Sequence, residues 1–198
     1  MKRLNILPGP AFEELQPELS EQLARIGDRV GTEQFAALLD PLMVEVFRQG
    51  VTQACADEGT IWLADETGEF LVPAFNSGPR AHEIVGQFKQ PIRSGLICLV
   101  YASEQPFLEN DVSQNRDQSK LLDARLQVET AALIAVPFNF LRHCRGVISC
   151  VQLASPGQPP RNPGGFRPQH LACIQQTAEV LSRLIDFQLL SSTVGWNR

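Results

Sequence analysis

At Gly59 the hydrophobic period of this chain changes from helical to two, and that switch constrains the fold more than any other feature. Ile61 and Leu63 oppose Trp62 and Ala64, the D-E-T-G run from Asp65 to Gly68 supplies turn chemistry, and Glu69 to Asn76 continues as a second strand. A second hairpin follows downstream. Ala131 to Pro137 reads as a buried strand, Asn139 to Arg145 turns the chain back, and Gly146 to Leu153 returns. Crossover units of regular length are missing, so the pattern predicts an antiparallel sheet with helices on its faces, α+β in class.

Helical spacing surrounds the hairpins. Glu13 to Arg29 is expected as a short helix with Leu15, Leu19, Leu23 and Ile26 on one face and Pro17 in its first turn. Thr32 to Ala56 keeps a helical period, but Pro41 should kink or split it, with Asp40 as N-cap and Pro41 opening the restarted helix. Between the hairpins the spacing predicts a short helix over Arg80 to Gln87, a short strand over Phe88 to Ile92 and a buried helix from Ser94, its cap, to Ser103. A brief extended segment over Pro106 to Leu108 and a polar helix over Asn115 to Leu126 follow. Ser155 to Gly165, dense in proline and glycine, is a surface loop, and Pro168 to Leu190 is the last helix. The expected division is a tail and short helix over 1–31, one domain over 32–190 and a tail over 191–198.

Composition narrows the function classes. The net charge is −5 and no Lys/Arg run occurs, which argues against nucleic acid and anionic membranes as partners. The longest apolar run, Ala131 to Phe138, is too short to span a bilayer, and a cytoplasmic protein is expected. Five cysteines, Cys55, Cys98, Cys144, Cys150 and Cys173, are widely spaced with no C-x-x-C pair, which argues for buried thiols over a disulfide framework or zinc site. His82, His143 and His170 lack metal-ligand spacing. No nucleophile elbow, P-loop or dinucleotide fingerprint is present.

Several segments, in this order and spacing, resemble GAF domains. A-C-A-D leads into the first strand, D-E-T-G joins strands one and two, and S-G-L-I opens a helix at Gly95. Q-P-F-L-E-N-D-V follows, then A-L-I-A-V-P-F ending near Pro137, G-V-I-S-C-V-Q-L from Gly146, and F-R-P-Q-H-L from Phe166 to Leu171. The resemblance covers about Phe35 to Phe187 and implies a GAF-like, profilin-like sheet of five to six antiparallel strands. Terminal helices would pack on one face, and short helices on the other would enclose a pocket. It implies pocket residues at Phe75 and Asn76, at Ser94, Gly95, Cys98 and Tyr101, and at Asp111, Arg125, Glu129 and Thr130. It also implies a sensory role without catalysis, exercised on an unidentified small molecule.

Signatures of the ligand classes known for such domains are missing. There is no N-K-x-F-D-E cluster for cyclic nucleotides and no cysteine in Asn115 to Leu126 for a bilin, so the cofactor stays unknown. Free methionine-(R)-sulfoxide reductases need an attacking and a resolving thiol. Gly95-Leu96-Ile97-Cys98 resembles their G-V-C-G segment with the cysteine displaced by one position, and Leu121 to Glu129 holds no second cysteine. On the closing helix, Leu171, Ile174, Ala178, Leu181 and Ile185 form one apolar stripe and Val180, Leu184 and Phe187 a second. The surplus predicts a homodimer or a separate signalling partner, unless the segment from Glu13 to Ile26 folds back over it. The competing expectations are a ligand-free dimerisation or adaptor module and, third, a thiol-dependent reductase.

Overall fold

A computed structural model of the chain describes residues 10–154 and 164–193. Three helices open it: α1 (Pro10–Asp28), α2 (Thr32–Leu38) and α3 (Pro41–Gln53). The split between α2 and α3 falls where Pro41 demands it. The Met43 N–H donates to Asp40 Oδ1 at 2.8 Å, and Pro41 occupies the first turn, where no N–H is needed. Helix α1 begins earlier than expected. Pro10 takes the first-turn role and Pro17 lies inside the helix.

The sheet is built from β1 (Glu58–Ala64), β2 (Phe70–Asn76), β3 (Gln90–Pro91), β4 (Phe107–Glu109), β5 (Glu129–Phe140) and β6 (His143–Ala154). Its order is β3-β2-β1-β6-β5-β4, and every neighbouring pair is antiparallel. The short elements are α4 (Ala81–Ile84), α5 (Leu96–Ser103), a 3₁₀ turn at Val112–Gln114 and α6 (Leu121–Leu126), and α7 (Pro168–Thr193) closes the domain. This is the predicted α+β architecture of six antiparallel strands with helices on both faces.

Three local expectations fail, each for a visible reason. Ser94 does not cap α5, because Gly95 (φ +99°) intervenes as the N-cap residue and Ser94 offers only its backbone oxygen, to Gln90 Nε2. The polar helix from Asn115 shrinks to Leu121–Leu126. Asn115 Oδ1 accepts the Asp117 N–H and its Nδ2 donates to Glu109, bonds that favour turns over helix. The tail expected from Ser191 is helical to Thr193, with Ser191 buried. The loop expected over Ser155 to Gly165 falls mostly outside the described residues.

Alternation of side chains sorts the strands into two layers. Ile61, Leu63, Ile134, Val136, Phe138, Ile148 and Cys150 face α2, α3 and α7, joined there by Phe35, Met43, Phe47, Leu181 and Ile185. Gly50 lets α3 and α7 approach: a Cβ there would lie 2.3 Å from Thr177 Oγ1. Trp62, Leu71, Leu133, Ala135 and Val147 face the other way, toward α4, α5 and α6. Gly146 is required between β1 and β6, since a Cβ would stand 1.8 Å from the Trp62 carbonyl oxygen. Arg145 ties α1 to the β5–β6 hairpin through Asp28 and the Ala24 carbonyl.

Candidate functional site

Beneath α4, α5 and α6 the second layer leaves a partly open cavity of about 90 Å³. Its floor is the sheet. Glu58, Thr60 and Trp62 rise from β1 at a spacing of two, and Ser149, Val151 and Leu153 rise from β6 in the same way. A bulge places the next wall residue. Ile61 pairs with Phe75 but Trp62 pairs with Pro73, so Ala74 is an extra residue in β2. Strict alternation from Leu71 would aim Phe75 at the cavity. The bulge instead turns Phe75 against Phe47 on the helix layer, rings edge-on at 5.4 Å, and turns Asn76 to the cavity.

The floor's polar groups are mostly spoken for. Asn76 Nδ2 donates to Thr60 Oγ1 at 2.9 Å, and Asn76 Oδ1 accepts the Gly78 N–H at 2.7 Å. The Trp62 indole N–H donates to Ser149 Oγ at 2.8 Å. Glu58 hydrogen-bonds Asn76 and forms no ion pair among the described residues. Burial raises its carboxyl above the ordinary range, partly offset by a hydrogen bond with Asn76 and the charge of Arg80, while Asp57 adds to the rise. Gly78 makes room for this carboxylate: a Cβ there would lie 2.2 Å from the Glu58 carboxyl carbon.

The roof comes from the segment leading into α6. Asp123 accepts from the Thr130 hydroxyl at 2.8 Å, from the Thr130 N–H at 3.0 Å and from Gln118 Nε2 at 3.1 Å. With three donors it serves as a structural clasp between α6 and β5. Gln118 Oε1 and Ser119 Oγ are buried without partners, and both residues line the cavity.

The ten residues expected at the pocket divide as follows. Asn76 and Thr130 line the cavity. Gly95 borders it, its Cα so near Ser119 that a Cβ would approach the Ser119 Cβ to 3.0 Å. Arg125 lies on the outer surface and donates to the Glu83 carbonyl at 2.7 Å, linking α6 to α4. Phe75 is on the helix layer, Ser94 holds Gln90, and Asp111 accepts from the Ser113 hydroxyl. Glu129 is exposed on the outer side of α6. Tyr101 is half-buried toward Cys144 and Arg145, with its hydroxyl pKa raised by burial. Cys98 packs under α5, its thiol donating to the Pro91 carbonyl at 3.3 Å, and burial pushes its pKa up to about 11.

Sequence reasoning missed Glu58, Gln90, Gln118, Ser119, Asp123 and Ser149. Ser149, a hydroxyl within the apolar run V-I-S-C-V, carried a usable signal. So did Thr60, two positions from Trp62 on the same face. Gln118 and Ser119 sit in a polar turn that has no periodicity to read. None of the five cysteines lines the cavity, and no group of three or more His, Cys, Asp and Glu among the described residues is placed to hold a metal.

No protein-family model and no curated protein matches the sequence. Solved structures do resemble the fold. The GAF domain of a phosphoenolpyruvate-protein phosphotransferase from Coxiella burnetii superimposes with a TM-score of 0.60 at 18% identity, over 94% of this chain and 99% of that one. The corresponding Acinetobacter GAF domain gives 0.55 at 17% identity, over 91% and 97%. The free methionine-R-sulfoxide reductase from Neisseria meningitidis, solved with its substrate, gives 0.50 at 16% identity, over 95% and 99%.

Proposed function

We propose that this protein, whose fold is that of GAF domains, is a non-enzymatic sensory module that binds a small molecule in the cavity and signals through its terminal helices. The observation that carries the reading is the cavity itself. Phe75, the bulkiest candidate to plug it, is turned away, and the lining keeps two buried polar atoms without partners. Such atoms cost about 1–3 kcal/mol each when nothing meets them, so a site that retains them is suited to a visitor that does. A ligand-free adaptor with a self-filled pocket would gain nothing from that arrangement.

The signalling surface in this reading is α7. Its inner stripe, Ile174, Ala178, Leu181 and Ile185, is buried, while Val180, Leu190 and Phe187 remain exposed, Phe187 at 69%. Helix α1 contributes Leu23 to the core, and the described residues leave Val180, Phe187 and Leu190 exposed. Leu42 at the start of α3 is 62% exposed, and the neighbouring Asp40 accepts a hydrogen bond from Gln188 of α7. These exposed apolar side chains on α3 and α7 suit a second copy of the chain or an output partner. Ligand and helix packing would then be coupled through the strands they share, by differential affinity for two arrangements.

A thiol-dependent reductase is the weaker alternative, despite the Neisseria likeness in fold. Its nucleophile would have to be a low-pKa, accessible cysteine. Cys98 and Cys150 are buried with raised pKa values, the partly buried Cys144 and Cys173 are raised by desolvation as well, and the exposed Cys55 lies outside the cavity lining. Native mass spectrometry of the full chain tests the main reading. A retained metabolite and a dimer that Phe187→Glu converts to monomer are expected. Turnover of free methionine sulfoxide would overturn it.

A further inference from the structure

The charge and the free acceptor facing the cavity narrow what it can hold. Asp123 is an acceptor only and faces Gln118, so the Gln118 amide must turn its N–H₂ to that carboxylate. Its Oε1 is thereby committed to the cavity, buried and without a donor. Glu58 adds two more acceptor oxygens and a negative charge, and no Lys, Arg or His lines the space. The buried Trp62 indole N–H is used by Ser149, and the Asn76 amide bonds Thr60, Gly78 and Glu58. What remains facing the space is a carboxylate, an amide oxygen and the hydroxyls of Thr60, Ser119 and Ser149, which can donate as well as accept; the carboxylate sets the charge, so the environment rejects anions and favours a cation with N–H donors.

Size narrows the class further. At ~15 Å³ per water-sized group, about 90 Å³ admits on the order of half a dozen heavy atoms. A cyclic nucleotide or tetrapyrrole would extend well beyond this space. A bare metal ion is a poor match too, since Asp123 already receives three donors and Glu58, itself hydrogen-bonded with Asn76, is the one other carboxylate lining the space.

We propose that the cavity binds a small organic cation, a primary ammonium or guanidinium compound, with its charged head on Glu58 and an N–H group received by Gln118 Oε1. The inference rests on the sensory reading and specifies its ligand class. Gly78 is a positioning residue in this scheme, because it leaves the space that the Glu58 head occupies.

Four probes matched in size test it on the full chain: methylguanidinium, ethanolammonium, neutral N-methylurea and anionic glycolate. Binding is followed by calorimetry and by the NMR signals of the Trp62 indole and the Thr130 amide. The two cations are expected to bind and to shift both signals. Glu58→Gln, confirmed folded by its thermal melt, is expected to weaken them at least tenfold, and Glu58→Asp to restore part of the loss. Equal cation binding in Glu58→Gln would overturn the inference. So would binding of N-methylurea or glycolate in preference to the cations, an outcome that leaves the sensory reading standing. Silence from all four probes, together with native protein free of any retained metabolite, would overturn both.

Discussion

The two faces of the sheet are built from alternate residues of the same strands, yet they obey different rules. On the helix layer the inward positions are mostly apolar, although β6 also buries Gln152 there, its amide N–H donating to the Cys55 carbonyl, and four phenylalanines, Phe35, Phe47, Phe138 and Phe140, are at most 1% exposed. On the cavity layer the same strands present Thr60, Asn76, Thr130 and Ser149, all buried and all polar. The first layer stabilises by area and close packing, at about 25 cal/mol per Å² of apolar surface removed from water. The second stabilises little and specifies much, because each buried polar group must find its partner. One platform thus separates stability from recognition by a side-chain period of two.

Adjacent residues on β5 give the sharpest way to break this comparison. Ile134 is fully buried on the helix layer and Leu133 lines the cavity. Ile134→Ala is expected to cost toward the upper end of about 2–5 kcal/mol in a urea melt, and Leu133→Ala toward the lower end, since its neighbours already border open space. Leu133→Ala should also enlarge the cavity and admit larger probes. Equal costs and unchanged probe selectivity would erase the distinction.

A middle-sized effect is expected at the roof. Asp123→Asn replaces one acceptor oxygen with a donor that faces Thr130 or Gln118, and should cost about 1–3 kcal/mol. Amide exchange at Thr130 should rise with it. An unchanged melt would mean that the clasp is not a clasp.

The smallest effect is at Glu58, where stability and recognition oppose one another. Burial raises its carboxyl in the folded state. Its contribution to stability is therefore fully present below the ordinary glutamate value of 4.5 and is lost as pH rises through the folded value. Glu58→Gln should leave stability at pH 7 equal or higher by less than about 1 kcal/mol, and that advantage should shrink on acidification toward pH 4.5. The groups that set this behaviour are Asn76, Arg80 and Asp57. A variant that is less stable at pH 7 would assign Glu58 to the structure and not to the site.

Most of the architecture was legible because it follows from periodicity and punctuation. The two hairpins, the break at Pro41 and the closing helix all obey rules that act within ten residues. Much of the site was not, for two physical reasons. The bulge at Ala74 exchanges the directions of Phe75 and Asn76, and nothing local in F-L-V-P-A-F-N announces it. The roof around Gln118, Ser119 and Asp123 is held by Asp123, whose bonds to Thr130 and Gln118 close only after the chain has folded. Cys98 and Tyr101, placed at the pocket by the resemblance, lie on α5 but outside the cavity's lining.

The inserted Ala74 sets more than the direction of one asparagine. Remove it, and the tail of β2 rotates by half a turn about its own axis. An aromatic ring then drops into the chamber and the amide is lost to the opposite layer. Whether such a platform is a receptor or a sealed block is, at this edge of the sheet, decided by the length of one strand.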